Sequence, residues 1–256
     1  MTFKFKNISI HYEIFGQGPA VVLLHGFLES STMWNYLIPK LSEKNTVLIL
    51  DFPGHGKSET VHETHSMELM ADVVNSLLKE LKIQKATFVG HSMGGYVALA
   101  YAEKYVDSVE KLILLNSTTA EDSEERKQNR DRSLEIVDKI PEAYISMAIG
   151  NLFAENSREK FASEIEKLKN EAKAFPMEGI KAAIRGMRDR KDRTSVLKNF
   201  PRGKYIISAS EDPIIPMDEI KTISEKTGAK LKTLPGGHLS TVENGQAVSD
   251  YLLSVL

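Results

Sequence analysis

Apolar runs alternate with amphipathic stretches along the first half of the chain. Four short runs are almost uniformly apolar, as is typical of parallel strands that are covered on both faces. They lie at positions 21–24, 47–50, 86–89 and 112–115. The stretches between them have helical spacing. These lie at 34–41, 67–81 and 96–105. The alternation predicts an α/β fold built on a doubly wound, mostly parallel sheet.

The two ends of the chain add to this pattern. Apolar and polar residues alternate with period two at 3–5 and 8–12, which predicts an opening antiparallel hairpin. Near the C-terminus, strand-like runs at 205–208 and 230–234 precede a helical stretch at 247–256. We therefore expect the last part of the chain to extend the same sheet.

The segment from about residue 119 to residue 199 differs from the rest, because it contains helical stretches of mixed polarity and no convincing strand. We predict that 1–118 and 200–256 form the α/β core and that 119–199 is an inserted helical cap, or lid. The insertion leaves the sheet at the edge where open α/β sheets place ligands. Long inserted segments in compact domains are usually functional.

The cap carries two features that bear on a binding site. The charge-dense stretch 121–132 is interpreted as a solvent-exposed helix face. Apolar side chains in the cap favour a pocket for a mostly apolar acyl or alcohol group, or they form a small core of the cap itself. These residues are Leu152, Phe153, Phe175, Met177 and Met187.

Composition excludes several classes of function. The 256 residues, 41% of them hydrophobic, suffice for one substantial core. A net charge of −2 gives no electrostatic case for binding nucleic acid or an anionic membrane. No cysteine is present, so thiolate catalysis and cysteine metal sites are excluded. No apolar run approaches a membrane span and the N-terminus lacks a signal-peptide core, so we expect a cytoplasmic protein.

A serine between glycines follows the third of the apolar runs and precedes an amphipathic stretch. The motif reads Gly90-His91-Ser92-Met93-Gly94-Gly95. This is the sequence form of a nucleophile elbow, in which a sharp strand-to-helix turn exposes the serine hydroxyl. Glycines on either side let strand and helix approach closely. We therefore predict that Ser92 is a catalytic nucleophile.

A serine hydroxyl needs a histidine to accept its proton and an acid to orient that histidine. Asp212 follows the predicted strand at 205–208, and His238 lies in the glycine-containing loop after the strand at 230–234. Both would lie at the carboxyl edge of the sheet, so they are the predicted acid and base. The neighbouring Glu211 should point away, because adjacent side chains of an extended loop face opposite directions.

An oxyanion hole requires two backbone N–H groups near the nucleophile. The segment 25–28 ends the first apolar run, so the N–H of Phe27 is one predicted donor and the N–H of Met93 is the other. No spacing of histidines and carboxylates suggests a metal site. We expect no cofactor.

Five segments in this order closely resemble the α/β-hydrolase superfamily: the turns at 25–28, 51–58 and 90–95, and the residues Asp212 and His238. The resemblance covers 1–118 and 200–256, and it is strongest to small cap-bearing esterases and carbon–carbon bond hydrolases. It implies hydrolysis of esters, thioesters, lactones or similar acyl groups without a metal or cofactor.

Departures from related subfamilies narrow the expected activity further. Haloalkane dehalogenases and epoxide hydrolases carry an aspartate where this chain has Ser92. The pair at 116–117, Asn-Ser, provides no carboxylate, so the alternative acid position of some relatives is absent.

The predicted function is a carboxylesterase-type serine hydrolase that acts on small to medium, largely apolar esters through an acyl-enzyme. A carbon–carbon bond hydrolase, a thioesterase, or a slow ligand receptor with the same triad remain alternatives. Carbon–carbon bond hydrolases usually need polar cap residues, a part that Arg185, Arg188 and Arg190 could play unless they only form a basic helix face. The partner is a small ester-like molecule, and the oligomeric state stays open.

Overall fold

The computed structural model describes all 256 residues and contains one eight-stranded sheet. Its strands are β1 (Thr2–Phe5), β2 (Ile8–Phe15), β3 (Ala20–Leu24), β4 (Thr46–Leu50), β5 (Ala86–His91), β6 (Val109–Leu115), β7 (Gly203–Ala209) and β8 (Lys230–Leu234). Their order is β1-β2-β4-β3-β5-β6-β7-β8. Only β1–β2 and β2–β4 pair antiparallel. The predicted hairpin and the predicted α/β fold class are therefore confirmed.

Eleven α-helices cover the sheet and connect its strands. They are α1 (Ile38–Leu41), α2 (Met67–Glu80), α3 (Met93–Lys104), α4 (Glu124–Lys139), α5 (Pro141–Gly150), α6 (Ala162–Lys173), α7 (Met177–Arg188), α8 (Thr194–Asn199), α9 (Met217–Thr227), α10 (Ser240–Glu243) and α11 (Gly245–Val255). Short 3-10 turns lie at Ser31–Trp34, Val106–Ser108 and Glu155–Ser157. None of the helices combines the length and the apolar character that crossing a membrane would require.

The core has two layers, one on each face of the sheet, because successive side chains of a strand point to opposite faces. In β3, Val22 and Leu24 pack with the apolar faces of α2 and α3. Val21 and Leu23 pack on the other face with Trp34, Leu41 and the inner side of α11. Burial on both faces explains why the central strands are apolar throughout.

The predicted helix at 34–41 is not continuous. The segment forms a 3-10 turn that ends at Trp34, and the short α1 begins only at Ile38. Pro39 lies in the first turn of α1, where no backbone donor is needed. Inside a longer helix its ring would clash with the carbonyl of residue 35. The apolar spacing persists because both turns bury residues in the same layer.

Five helices, α4 to α8, lie between β6 and β7, where the sequence predicts an insertion. Buried side chains of α5 and α6, among them Ile149 and Ile165, join the same layer as Trp34 and do not form a separate core. Met187 of α7 joins the opposite layer. The apolar side chains of these helices are therefore continuous with the core of the sheet, and α4 and α5 line a cavity together with residues that follow β5 and β8.

Candidate active site

Ser92 occupies a strained turn between β5 and α3. Its φ of 50° and ψ of −115° lie outside the regions that L-residues favour. Its N–H donates to the Leu115 carbonyl (3.1 Å), and its own carbonyl accepts from the Ser117 hydroxyl (2.8 Å). These bonds to the end of β6 and the residues after it hold the strained backbone in place.

Three glycines make this turn possible. A Cβ at Gly90 would overlap the Gly94 carbonyl, and a Cβ at Gly94 would overlap the Leu24 carbonyl. A Cβ at Gly95 would overlap the side chain of Ser117. The glycines of the motif are therefore required because α3 lies very close to β3, to β5 and to Ser117, which follows β6.

Asp212 and His238 form a direct side-chain pair. His238 Nδ1 lies 2.7 Å from Asp212 Oδ2, and both side chains are buried. The other oxygen, Asp212 Oδ1, accepts from the N–H groups of Ile214 (2.8 Å) and Ile215 (3.0 Å). Burial alone would raise the pKa of Asp212, but the His238 charge and the hydrogen bonds lower it. The carboxylate is therefore ionised and accepts the Nδ1 proton of His238.

The backbone of His238 is fixed on both sides. Its N–H donates to the Leu152 carbonyl (2.8 Å), and its carbonyl accepts from His91 Nε2 (2.9 Å). With Nδ1 committed to Asp212, the Nε2 atom is the free ring nitrogen, and His238 lines the same cavity as Ser92. The side chains of Ser92 and His238 face this cavity without a direct hydrogen bond to each other.

Phe27 and Met93 are the predicted oxyanion donors. Phe27 lies in the turn after β3, and Met93 directly follows Ser92. Met93 is the first residue of α3, where helix geometry leaves the N–H without an intrahelical acceptor. Phe27 lines the cavity in a turn whose next residue, Leu28, has a positive φ of 61°. Glu29 holds this turn, because its Oε2 accepts from the Gly26 N–H (2.7 Å).

Glu29 and His91 form a buried pair that the sequence analysis missed. His91 Nδ1 lies 2.9 Å from Glu29 Oε2, while Nε2 faces the His238 carbonyl, so both ring nitrogens meet acceptors. Both must then carry protons, which makes the ring cationic. Burial alone would lower the pKa of His91, but the Glu29 carboxylate raises it above the usual histidine value. The only signal in the sequence is an acid within a largely apolar segment.

Asn116 is a second residue whose part the sequence did not reveal. It follows β6 with a positive φ of 44°. Its Nδ2 donates to Asp212 Oδ2 (3.1 Å), and its Oδ1 accepts from the Ser240 hydroxyl (2.7 Å). Although it offers no carboxylate, Asn116 thereby orients the carboxylate that β7 supplies.

A cavity of about 530 Å³ connects these groups to the helical insertion. Its wall contains Phe27, Ser92 and His238, and eight of its 17 lining residues are hydrophobic. The volume is that of a small-molecule site. Most of the wall surface is apolar, as the sequence analysis favours, and polar side chains make up the smaller part.

The cap residues singled out from the sequence fall into two groups. Leu152 and Met187 line the cavity. Phe153 and Phe175 are buried in the core layer, and Met177 packs against that layer. The pocket interpretation therefore applies to Leu152 and Met187, whereas a separate core of the cap is wrong, because the other three residues join the main core layer.

Other charged candidates lie away from the cavity. Glu211 accepts from Asn156 (2.8 Å) at the surface and does not contact His238. Arg185 donates to the Glu63 carbonyl, and Arg188 pairs with Asp131 and Asp189. Arg190 is buried against Asp122. None of the three arginines lines the cavity.

Comparison with known proteins agrees with this fold. A family model described as the alpha/beta hydrolase fold matches residues 19–245, and the chain belongs to that family. A thermophilic esterase from Thermogutta terrifontis, solved with malate bound, superposes with a TM-score of 0.92 at 31% identity, covering 99% of this chain and 95% of that one. The resemblance seen in the sequence is thus confirmed, and the protein is a hydrolase of this fold.

Two curated relatives match over shorter stretches. An uncharacterised protein of Mycobacterium tuberculosis is 39% identical over 119 residues, which are 45% of this chain and 35% of that protein. The 2-hydroxy-6-oxononadienedioate/2-hydroxy-6-oxononatrienedioate hydrolase of Escherichia coli K12 is 37% identical over 120 residues, 44% of this chain and 42% of that enzyme. The aligned part is therefore less than half the length of either relative.

Proposed function

We propose that the protein is a serine hydrolase that cleaves carboxylic esters through an acyl-enzyme. The observation that carries the proposal is the Asp212–His238 pair at 2.7 Å, which leaves Nε2 of the histidine on the cavity that Ser92 lines. A nucleophile, a base and an orienting acid are the three parts that acyl transfer by serine requires.

In the first half of the reaction, Ser92 Oγ attacks the ester carbonyl carbon and passes its proton to His238 Nε2. The imidazolium that forms is stabilised by the Asp212 carboxylate. When the tetrahedral intermediate collapses, the bond to the alkoxide breaks and His238 returns the proton to the departing oxygen. The alcohol leaves, and the acyl group stays on Ser92.

In the second half, water attacks the acyl carbon while His238 Nε2 accepts one of its protons. Collapse of this intermediate releases the carboxylic acid and returns the proton to Ser92. In both halves the negative charge develops on the carbonyl oxygen, and the N–H groups of Phe27 and Met93 donate hydrogen bonds to it. Loss of one such donor typically costs about 3–4 kcal/mol of transition-state stabilisation.

Ester substrates are favoured over the alternatives because the structural match to an esterase extends over nearly the whole chain. The Thermogutta esterase matches 95% of its own chain, including the helical insertion. The Escherichia coli hydrolase is matched over only 42% of its length, so it supports carbon–carbon bond cleavage less strongly. A thioesterase, a carbon–carbon bond hydrolase and a ligand receptor could use the same triad. Measuring turnover on each class of substrate distinguishes them from an esterase.

The test is the turnover of short 4-nitrophenyl esters by wild type and by Ser92→Ala. We expect the substitution to lower kcat by several orders of magnitude with an unchanged melting temperature, because the hydroxyl is the reacting group. A fluorophosphonate should label the wild type once, with peptide mass mapping placing the adduct on Ser92. Ser254→Ala, at the exposed end of α11, is the matched control and should retain full activity.

Turnover that survives Ser92→Ala, or a label on another residue, would overturn the mechanism. Labelling at Ser92 without multiple turnovers on any ester would favour the receptor alternative. Cleavage of thioesters or of carbon–carbon bonds with esters left intact would keep the triad but change the reaction.

A further inference from the structure

One face of α4 lines the active-site cavity and is entirely polar. Its residues are Arg126, Asn129, Arg130 and Ser133. The spacing i, i+3, i+4, i+7 places the four side chains in one stripe along the helix. Helices usually turn an apolar stripe inward. A polar stripe that faces a cavity wall indicates a polar part of the bound molecule.

Arg126 brings a positive charge that no protein carboxylate neutralises. It forms no ion pair, and its side chain donates only through Nη2, to the Ile214 carbonyl at 2.7 Å. That bond fixes the guanidinium against the loop that follows Asp212. The remaining guanidinium N–H groups are without a protein acceptor.

Arg130 is only partly neutralised. Its Nε donates to Asp122 Oδ2 (3.1 Å), while the other Asp122 oxygen pairs with Arg190 Nη1 (2.6 Å). One carboxylate is thus shared between two guanidinium groups. The Nη1 and Nη2 groups of Arg130 make no hydrogen bond in the protein, and the side chain is a quarter exposed. A planar pair of free donors matches the two oxygens of a carboxylate.

No acid in the cavity wall cancels this charge. Glu29 is the only carboxylate among the lining residues, and it is committed to His91 and the Gly26 N–H. The same wall also carries apolar side chains, among them Ala148, Leu152 and Met187. The cavity therefore combines the predicted nucleophile and base, an apolar surface and two arginines that keep unpaired donors.

We propose that the inner face of α4 is an anion subsite for a carboxylate on the substrate, so that the enzyme prefers half-esters or lactones of dicarboxylic acids. A hydrocarbon linker would contact the apolar part of the wall, and Arg126 and Arg130 would bind the second carboxylate. The preference rests on the proposed ester hydrolysis at Ser92, whereas the anion subsite itself can be measured without turnover.

The first test compares matched substrates. A series of 4-nitrophenyl hydrogen dicarboxylates, from succinate to pimelate, is assayed beside neutral esters in which an isopropyl group replaces each carboxylate. We expect kcat/KM to favour the acidic member by roughly ten- to a hundredfold at the best chain length, as charge-assisted hydrogen bonds are worth that much. The preference should fall with added salt.

The second test removes the donors. Arg126→Gln and Arg130→Gln should each raise KM for the acidic ester about tenfold, with kcat largely retained, because neither arginine takes part in the bond-making steps. The kcat/KM of the neutral isostere should fall much less than that of the acidic ester, so the preference between the two is what is lost. Lys127→Gln removes the same charge from the same helix at a residue that does not line the cavity, and it should change neither substrate. Arg126→Lys should restore part of the preference.

The third test measures binding alone. Calorimetric titration of Ser92→Ala with the best dicarboxylate should show binding that Arg126→Gln weakens about tenfold. Equal kcat/KM for acidic and neutral esters, or no dicarboxylate binding, would overturn the subsite while leaving the esterase proposal intact. Dicarboxylate binding that depends on Arg126, without hydrolysis of any ester, would instead overturn the proposed reaction and retain the subsite.

Discussion

Asp212 accepts four hydrogen bonds, two on each carboxylate oxygen. Oδ1 receives the N–H groups of Ile214 and Ile215, and Oδ2 receives Asn116 and His238. All four partners are donors, so only an ionised carboxylate satisfies the site. The arrangement fixes the rotamer of the acid and the tautomer of the histidine at once.

We expect Asp212→Asn to lower kcat by up to about ten-thousandfold in a folded protein. The two backbone donors would keep the amide oxygen on the Oδ1 side, so the amide NH₂ would face His238 Nδ1. The imidazole must then carry its proton on Nε2, where it cannot accept the Ser92 proton. Steady-state kinetics on one ester, with circular dichroism as a check on folding, measures this.

Glu211→Gln is the matched control. The side chain of Glu211 contacts only Asn156 at the surface, so kcat should change little. A crippled Glu211→Gln beside a nearly normal Asp212→Asn would show that the acid is assigned one residue too late.

At this scale, sequence suffices for residues that follow strands and fails for residues that meet only in three dimensions. Ser92, Asp212 and His238 each follow a strand, and parallel pairing brings such positions to one edge. Glu29 and His91 are 62 positions apart, and their pairing depends on how the turn after β3 lies against β5. No local pattern contains that information.

Among the elements, α3 is the most constrained by its surroundings. Its first turn passes so close to β3 that Gly94 has no room for a side chain, and the obstacle is the Leu24 backbone carbonyl. The helix therefore cannot shift without moving Ser92 and the N–H of Met93. The close packing of α3 against β3 therefore also fixes the geometry of the candidate site.

Gly94→Ala should lower the free energy of unfolding by about 1–3 kcal/mol, as overpacking in a rigid core does. It should also reduce kcat, since relief of the clash displaces the Met93 N–H. Gly150→Ala, at the end of α5, is the control, because a Cβ there meets nothing within 4 Å. That substitution should stabilise the protein by up to about 1 kcal/mol. Urea unfolding and ester turnover of both variants decide the matter.

The helix α4 shows the limit of pattern analysis for elements. Polar residues at helical spacing look the same in sequence whether they face bulk water or a cavity. The interpretation of 121–132 as a solvent-exposed face is therefore incomplete for Arg126 and Arg130, which are half-buried and line the cavity, while Asn129 lines it and is exposed. The outward side of α4 does fit it, as for the exposed Arg132.

Across the whole molecule, buried histidines link stability to pH. Burial lowers the pKa values of His25 and His55, and it lowers that of His65 to about 4. His25 Nε2 accepts the Phe52 N–H, so this ring is neutral in the fold. His91 acts in the opposite direction, since its pKa is raised by Glu29.

We expect the free energy of unfolding to decrease as pH falls from 6.5 to 5. Over this interval the unfolded chain takes up protons at histidines that the folded state keeps neutral, at about 1.4 kcal/mol per pH unit for each proton. The contribution of His91 is complete below pH 6.5 and is lost only as pH rises through its raised pKa, so it does not cancel the effect. Urea unfolding across this range measures the slope.

His65→Gln isolates one of these groups. The amide oxygen can accept the N–H of Val61 as the ring does, without titrating. Its unfolding free energy should vary less steeply with pH than that of wild type, by up to about 1.4 kcal/mol per pH unit. Identical slopes for the two proteins would mean that His65 is protonated in the fold.

The sparse burial of α4 has an evolutionary consequence. Of its sixteen residues only Val137 is buried, so most of the helix contributes little to the folding free energy. Side chains on its inner stripe can be exchanged while the glycine turn and the core stay as they are. New ligand preferences can then arise through single substitutions that neither unfold the protein nor touch its reacting groups. A library of variants confined to this stripe should therefore contain few unfolded proteins.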